Sequence, residues 1–223
     1  MAWDPVWEEI FSSRAWGKYP SEDLIRFVAR NYYRAPDRSK VMGLELGCGP
    51  GCNLWFLARE GFAAFGVDGS ATAVKQAKDR LDAECPGWRE NGEIREGDFK
   101  NLPYADESFD FVIDNEAVYA NSFDISVEVY SEAARVLKKD GLIFVRTFSN
   151  GSWGDSTGKS LGYNAWECSE GASVGHGYAR YSDLDDLPRL LERFEIQSTE
   201  QITRTEGNLS HSVKEWLVIA RKR

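Results

Sequence analysis

The sequence of 223 residues predicts an α/β fold of the doubly wound kind, in which a mostly parallel sheet carries helices on both faces. Three observations lead to this prediction. A short apolar strand at residues 41–46 runs into the glycine-rich loop 47–51, and a helical pattern begins directly behind it. Strand and helix patterns then alternate as far as residue 148. Near the end of the sequence, two strand patterns flank the turn 206–208 and predict an antiparallel hairpin.

The segment 1–40 is rich in aromatic side chains and precedes the first strand of the sheet. Ser21 has the character of a helix N-cap. Leu24, Phe27 and Val28 recur behind it at near-helical intervals, and Tyr32 continues the pattern. The segment therefore predicts a helix with an inward apolar face, and we expect it to form a cap on the sheet.

The elements of the sheet follow in order. A helix is predicted at 53–60, a strand at 63–67, and a helix whose face is formed by Val74, Ala77 and Leu81. Later helical spacing at Val129, Ala133, Val136 and Leu137 leads to Gly141, a natural C-terminal stop. The fifth strand, 142–148, is a continuous apolar run broken only by Arg146, as expected of a buried parallel strand.

Beyond this strand the alternation of strand and helix patterns ends. Residues 149–177 contain seven glycines and six serines without a clear period. Ser182 and Asp185 have the spacing of a capping box and predict a further helix, whose true start could lie nearer Asp185 because Pro188 favours a first turn. The last two predicted strands are 194–205 and 213–222.

The glycine-rich loop predicts an adenosine-containing cofactor. Glycines allow a tight turn and a close approach of ligand to backbone, and the helix behind them offers unpaired N–H groups. Asp68 stands at the end of the second strand, 21 positions after Gly47, where a carboxylate can reach the hydroxyls of a ribose. Cys52 stands where the dinucleotide fingerprint has its third glycine. Glu45 would repel a pyrophosphate and suits a ligand that carries an amine or a sulfonium.

The loop, read from Leu44 as Leu-Glu-Leu-Gly-Cys-Gly-Pro-Gly, resembles the first motif of the class I S-adenosylmethionine-dependent methyltransferases. Further blocks resemble later motifs of that family in the expected order: Gly97-Asp98-Phe99, Leu102-Pro103-Tyr104, the strand 108–114 and the segment 135–143. The resemblance covers roughly residues 41–150. It implies a seven-stranded, Rossmann-like sheet that is mostly parallel and ends in an antiparallel hairpin.

The resemblance also implies roles for individual residues. Asp68 would hold the ribose, with Gly69 and Ser70 around it. Asp98 would accept a hydrogen bond from the adenine amine, and Phe99 would supply a backbone donor and a flat contact. The remaining predicted cofactor-binding residues belong to the loop and its helix or follow the fourth strand: Glu45, Gly47, Cys48, Gly49, Gly51, Asn53, Asp114 and Asn115. For each acid taken alone, a helix cap or a solvated charge is the alternative. We prefer that alternative for Asp106 and Asp110, and the binding role for Asp68 and Asp98 because they stand at strand ends.

Two segments are predicted to cover the site. The aromatic loop 16–20 could fold over the cofactor, where Trp16 would stack on the sulfonium, although plain packing is the alternative. The segment 149–177 is longer than a normal connection and carries Trp153 and Trp166, so we expect a substrate lid; a disordered surface loop is the alternative. We therefore divide a single methyltransferase domain, 1–223, into the cap 1–40, the cofactor core 41–148, the lid 149–181 and the helix with terminal hairpin 182–223.

His176 is the preferred general base, and Tyr119 is a second candidate catalytic residue. Glu116, Tyr178 and Tyr181 are alternative pocket residues. Arg146 could bind a carboxylate or phosphate of the substrate, or pair with an acid of the protein. The acceptor atom, oxygen or nitrogen, and the need for a base stay open.

Composition narrows the choice of partners. The net charge of −9, with dispersed basic residues, argues against nucleic acid as a substrate and favours a small molecule. No apolar run approaches the roughly 20 residues of a membrane span, and the first residues lack a secretory pattern, so we expect a cytoplasmic protein. The four cysteines lack the partners of a zinc site, so we expect reduced thiols and no metal. A homodimer is possible through the aromatic N-terminal segment.

Two other functions stay open. The first is an NAD(P)-dependent oxidoreductase on a related sheet, against which the Gly-x-Gly-x-Gly loop and the terminal hairpin count. The second is a catalytically silent cofactor-binding module that acts through a partner protein. The intact cofactor motif weakens this reading, and the lack of an evident base keeps it open.

Overall fold

The structure is a computed structural model that describes residues 2–223, and it contains ten strands and six α-helices. The strands are β1 Met42–Leu46, β2 Ala63–Asp68, β3 Glu93–Glu96, β4 Phe109–Asn115, β5 Leu137–Phe148, β6 Lys159–Gly162, β7 Ala165–Glu167, β8 Tyr178–Arg180, β9 Phe194–Glu206 and β10 His211–Lys222. The helices are α1 Val6–Ser13, α2 Glu22–Tyr32, α3 Cys52–Arg59, α4 Ala71–Glu84, α5 Phe123–Val136 and α6 Asp186–Leu190.

Seven strands form the main sheet, in the order β3-β2-β1-β4-β5-β10-β9. Strands β1 to β5 are parallel, and β10 is antiparallel to both of its neighbours, so six strands point one way and one points back. This confirms the predicted mostly parallel sheet with a terminal antiparallel hairpin. Leu46 pairs with Val67 on one side and with Asp114 on the other, so the ends of β1, β2 and β4 meet at one edge. Ligands of doubly wound sheets bind at such an edge.

Two hydrophobic cores lie on opposite faces of the sheet. Leu44 and Leu46 belong to the core that α5 and α6 cover, whereas Phe111 and Ile113 belong to the core that α2, α3 and α4 cover. Each strand alternates its side chains between the faces, so both faces must be apolar in a sheet covered on both sides. Helix α2 begins as predicted, since Ser21 Oγ accepts a hydrogen bond from Leu24 N at 3.4 Å.

Two local expectations were wrong, and one helix was missed. Helix α5 ends at Val136 and β5 begins at once, so Gly141 is not the helix stop; Asp140 instead turns the chain with φ of 61°. Ser182 does not cap a helix, because its hydroxyl accepts from Arg180; α6 begins after Asp185, as the alternative start near Asp185 predicts. Helix α1 was not predicted. In each case tertiary contacts set the boundary more strongly than the local signal.

The segment 149–177 is not structureless. Its strands β6 and β7 form a small antiparallel sheet with β8, in the order β6-β7-β8. These strands are only three or four residues long, so their period-two pattern is too short to recognise in the sequence. Within residues 2–223, no helix is long and apolar enough to cross a membrane.

Candidate active site

A cavity of about 260 Å³ opens at the edge where β1, β2, β4 and β5 end. Most of the residues predicted to bind cofactor or to act in catalysis form its wall. They are Trp16, Glu45, Gly47, Cys48, Gly49, Asn53, Asp68, Gly69, Phe99, Asn115, Tyr119 and His176. Four predicted residues do not reach the wall: Gly51, Ser70, Asp98 and Asp114. The structure therefore places most of the predicted cofactor-binding residues and both predicted catalytic residues in the wall of one cavity.

The glycine-rich loop needs its glycines. Gly47, Gly49 and Gly51 have φ of 63°, 50° and 81°, in the left-handed region that residues with a Cβ avoid. A Cβ at Gly47 would also overlap the side chain of Ala117, in the connection after β4. The loop thus lies directly against the connection that follows β4. Its residues Gly47, Cys48 and Gly49 line the cavity.

Asp68 closes the loop from the end of β2. Its Oδ2 accepts from Gly49 N at 2.8 Å, and its Oδ1 accepts from Ser70 N at 2.8 Å. Burial raises the pKa of Asp68, and the two backbone donors oppose that rise. Each carboxylate oxygen has two lone pairs, so the carboxylate can accept further hydrogen bonds from a ligand in the cavity.

Three buried oxygen atoms of the wall have no hydrogen-bond partner within residues 2–223: Glu45 Oε2, Asn53 Oδ1 and Asn115 Oδ1. The orientation of Asn53 is fixed, because its amide nitrogen donates to Glu45 Oε1 at 2.5 Å. Burial raises the pKa of Glu45 well above its ordinary value. Buried acceptors without donors are costly, so this group of oxygens fits a ligand that brings N–H donors and positive charge.

The predicted residues outside the wall have other partners. Asp114 is fully buried and accepts from Ala117 N, Val118 N and the Tyr130 hydroxyl, so it holds the turn that follows β4. Ser70 caps α4 by accepting from Ala73 N. Gly51 is the N-cap residue of α3 and lies against α4.

Asp98 lies beside the wall and is engaged by the N-terminal segment. Its Oδ1 accepts from Ala2 N at 2.9 Å, and Ala2 is fully buried. Trp3 lies so close to Gly69 that any Cβ at that position would overlap the indole ring. The N-terminal segment therefore covers the end of the cavity at which the adenine was predicted to bind.

Helix α1 is fastened to α4 by one carboxylate. Glu8 accepts from the Ser70 and Thr72 hydroxyls, with Thr72 Oγ1 at 2.5 Å from Oε1. These hydrogen bonds hold the pKa of Glu8 below its ordinary value, the Ser70 bond most of all. Trp7 and Phe11 of the same helix reach the cavity, and Trp16 packs edge-on against both rings at 5.9 and 5.4 Å.

His176 lies in the wall beside these aromatic rings. Arg14 Nη2 lies 3.0 Å from His176 Nε2, and because arginine can only donate, Nε2 is the acceptor. Burial and the Arg14 charge lower the pKa of His176, so the ring is neutral near pH 7. Tyr119 is almost fully buried, and burial raises the pKa of its phenol well above the ordinary value. It is therefore a hydrogen-bond donor at neutral pH.

The carboxylates of Glu116 and Glu215 and the guanidinium of Arg146 lie together in another part of the cavity wall. Arg146 donates to Glu215 Oε2 from Nη2 at 2.5 Å and from Nε at 3.1 Å, and its Nε lies 3.9 Å from Glu116 Oε1. Burial and the neighbouring Glu215 raise the pKa of Glu116 well above its ordinary value. Burial alone would raise the pKa of Glu215, but the hydrogen bond from Glu116 and the Arg146 charge bring it below that value.

Sequence reasoning missed Glu8 and Glu215. A signal existed for Glu215, because the period-two pattern of β10 puts it between Val213 and Leu217 on the buried face, where a charge is unusual. The signal for Glu8 was weaker. It required recognising Val6–Ser13 as a helix, and its partners lie more than 60 residues away in sequence.

Comparison with known proteins gives consistent results. A family model described as "Methyltransferase domain" matches residues 37–207 of this chain. An uncharacterized methyltransferase of Schizosaccharomyces pombe is 29% identical over 140 residues, which cover 62% of this chain and 82% of that protein.

Two solved structures share the fold. A SAM-dependent methyltransferase from Methanosarcina mazei superposes with a TM-score of 0.66 at 18% identity, covering 92% of this chain and 98% of that chain. Magnesium protoporphyrin IX methyltransferase from Synechocystis PCC 6803, with bound SAM, gives a TM-score of 0.61 at 15% identity, covering 98% and 80%. At these identities the likeness establishes the fold alone.

Proposed function

Because this chain belongs to the methyltransferase-domain family, we propose that it transfers a methyl group from S-adenosylmethionine to an oxygen or nitrogen atom of a small-molecule acceptor. The chain is an S-adenosylmethionine-dependent methyltransferase of the class I fold. When bound, S-adenosylmethionine supplies a methyl group on a positively charged sulfur, which makes the methyl carbon open to displacement by a nucleophile. The protein's task is to align that nucleophile and keep it unprotonated.

The observation that carries the proposal is the group of unpartnered oxygens at Glu45, Asn53 and Asn115. S-adenosylmethionine has an α-ammonium group, which would bring three N–H donors and a positive charge to this group of acceptors. Asp68 stands where it can accept from the ribose hydroxyls while it still holds Gly49. Phe99 lies in the wall near Asp98, on the side assigned to the adenine. These five residues would hold the cofactor.

Tyr119 and His176 are the proposed catalytic residues on the acceptor side. Tyr119 would orient the acceptor by donating a hydrogen bond, since its phenol stays protonated at neutral pH. For an oxygen acceptor, His176 would act as the base at Nε2, and the acceptor must first replace Arg14 at that nitrogen. Trp16 would pack against the cofactor from the N-terminal segment.

A small-molecule acceptor agrees with the charge of the chain and with the wall of the cavity. A net charge of −9 is unfavourable for binding a polyphosphate backbone. The two arginines of the wall are both paired, Arg146 with Glu215 and Arg204 with Glu206 at 2.7 Å. The cavity is lined by Trp7, Phe148 and other rings that suit an apolar skeleton.

The first experiment is a calorimetric titration of the purified protein with S-adenosylhomocysteine, with NADH as the control ligand. We expect micromolar binding of S-adenosylhomocysteine and none of NADH. The reverse result would overturn the proposal. An acceptor screen that follows production of S-adenosylhomocysteine then separates an active enzyme from a silent cofactor-binding module.

A further inference from the structure

Glu116, Arg146 and Glu215 come from neighbouring positions of the main sheet and from different parts of the sequence. Glu116 follows β4, Arg146 lies in β5 and Glu215 lies in β10, and all three line the cavity. Glu116 N donates to Arg146 O at 2.9 Å, which fixes the two backbones against each other. The group is therefore built by the sheet and does not depend on a mobile loop.

The cluster has one more acid than base. Arg146 is fully engaged with Glu215 through two hydrogen bonds, whereas its nearest approach to Glu116 is 3.9 Å. Glu215 is 4% exposed, and Arg146 is mostly buried. A single guanidinium can balance one carboxylate, so Glu116, whose side chain is 29% exposed and lines the cavity, is left to pair with a proton or with a cation that enters the cavity.

Glu116 is placed in the wall at a conformational cost. Its φ is 60°, in the left-handed region that glutamate rarely adopts. Non-glycine residues in this region are common at functional sites, where the surrounding structure enforces them. The strain has the effect of turning the chain between the buried end of β4 and the helical turn that contains Tyr119.

Among residues 2–223, the other groups near Glu116 do not supply the missing positive charge. Asp114 adds negative charge from the end of β4, and Tyr119 stays neutral. Arg204, on β9, acts on Glu215 but is paired with Glu206. The acceptor end of the cavity thus favours a cation, and it disfavours an anionic acceptor.

We propose that the methyl acceptor is an amine and that Glu116 binds its nitrogen and takes up its proton, an assignment that rests on the proposed methyl transfer. The amine enters as an ammonium, and the proton that Glu116 shared with Glu215 leaves to solvent. Within the complex an N–H bond then breaks, its electron pair stays on nitrogen, and the proton forms an O–H bond with Glu116. The nitrogen becomes neutral and nucleophilic as the carboxylate becomes a neutral acid.

The high pKa of Glu116 in the folded protein supports this assignment, because a carboxyl group with an ordinary pKa could hold a proton from an ammonium only rarely. Glu116 is thus suited both to bind the cation and to hold its proton. If Glu116 carries the proton before the amine binds, either proton position within the complex leaves one proton released on binding.

The test is calorimetry on the protein saturated with S-adenosylhomocysteine, at pH 7 and in buffers of different ionisation enthalpy. The ligands are benzylamine, phenethylamine and hexylamine, each with the alcohol and the carboxylate of the same carbon skeleton. We expect at least one amine to bind about tenfold or more tightly than its alcohol. We also expect its binding to release about one proton, and the alcohol none.

Glu116→Gln should remove both the preference for the amine and the proton release, while Glu116→Asp should retain part of each. Glu167→Gln, an exposed acid in β7, is the matched control and should change neither. Binding of S-adenosylhomocysteine to each variant shows that the variant is folded. Preference for alcohols or carboxylates, lack of binding by every amine, or an unchanged proton release in Glu116→Gln would overturn the assignment. If S-adenosylhomocysteine itself fails to bind the wild type, the proposed function fails instead.

Discussion

Asp68 combines a structural and a ligand-binding role in one carboxylate. It holds Gly49 and Ser70 through their backbone N–H groups, and its remaining lone pairs face the cavity. Loss of the side chain should therefore weaken cofactor binding through both the missing ribose contacts and a looser glycine-rich loop. Neither contribution requires that the fold itself be lost.

We expect Asp68→Ala to weaken S-adenosylhomocysteine binding by about tenfold or more, because a hydrogen bond to a charged group contributes about 1.5–3 kcal/mol. Calorimetry measures the change, with far-UV circular dichroism to monitor folding. Asp79→Ala, an exposed acid in α4, is the control and should bind normally. Wild-type affinity in Asp68→Ala would show that the ribose assignment is wrong.

Glu116 also predicts a pH dependence of stability. Its ordinary pKa is 4.5, and its pKa in the folded protein is well above that value. Between these two values the folded state holds a proton that the unfolded state has lost, so stability decreases as the pH rises. Glutamine at this position does not titrate. The stability of Glu116→Gln relative to wild type should therefore increase as the pH rises from about 5 towards 8.

Thermal unfolding at a series of pH values measures this effect. The difference in melting temperature between the two proteins is the quantity to follow, since titrating groups that do not contact Glu116 contribute equally to both; Glu215, which does, is read together with Glu116. A difference that does not change with pH would mean that Glu116 has an ordinary pKa in the folded protein.

At the scale of elements, sequence reasoning succeeded where the signal is contiguous. The loop from Gly47 to Gly51 and the strand that leads into it are local features, and their geometry follows from the glycines themselves. Sequence reasoning failed where long-range contacts determine the ends of an element. Helix α5 ends at Val136 because the chain must join the sheet there, and no residue near Gly141 signals that. The strands of the small sheet are too short to show a period.

The candidate site, like the elements of the fold, was predictable from the sequence only where its residues follow from local signals. Most predicted residues at the ends of strands lie in the wall of the cavity, because the order of the sheet brings those ends together, whereas Asp98 and Asp114 do not reach it. Glu215 was not found, because its place beside Arg146 depends on β10 pairing antiparallel with β5. Its position on the buried face could be inferred only once that hairpin was known to close the sheet.

Helix α1 gives a prediction at this scale. Glu8 joins α1 to the start of α4, so Glu8→Ala should loosen the helix and with it the aromatic wall formed by Trp7 and Phe11. We expect faster hydrogen exchange of residues 6–13 and severalfold weaker binding of S-adenosylhomocysteine. Mass spectrometry of the exchanged peptides and calorimetry measure the two effects.

The neighbouring residue provides the control. Glu9 is exposed on the same helix, and Glu9→Ala removes the same number of atoms without touching α4. If residues 6–13 exchange hydrogen at the same rate in Glu8→Ala and Glu9→Ala, the hydrogen bonds of Glu8 to Ser70 and Thr72 do not stabilise the helix.

At the scale of the whole molecule, the cavity lies between the sheet edge and the N-terminal segment, so its ligand contacts many elements at once. A ligand that binds only the folded state stabilises the whole chain. S-adenosylhomocysteine at about 100 times its dissociation constant should add about 2.7 kcal/mol to the free energy of unfolding. For a chain of this size that corresponds to a rise in melting temperature of about 5–10 °C.

Differential scanning fluorimetry with and without the ligand measures the shift. NADH at the same concentration is the control, and we expect it to leave the melting temperature unchanged. Equal shifts with both ligands would indicate a site that recognises adenosine in general.

The hydrogen bond from Ala2 to Asp98 has a consequence for the kinetics of the enzyme. If adenine binds at Asp98 as predicted, it shares that carboxylate with Ala2 N, at the end of the cavity that Trp3 and the buried Ala2 cover. If this cover must open before the cofactor binds, the apparent dissociation constant is the intrinsic one divided by the fraction of open molecules. Entry and exit of the cofactor then both wait for residues 2–3 to move, and release of S-adenosylhomocysteine would depend on that motion.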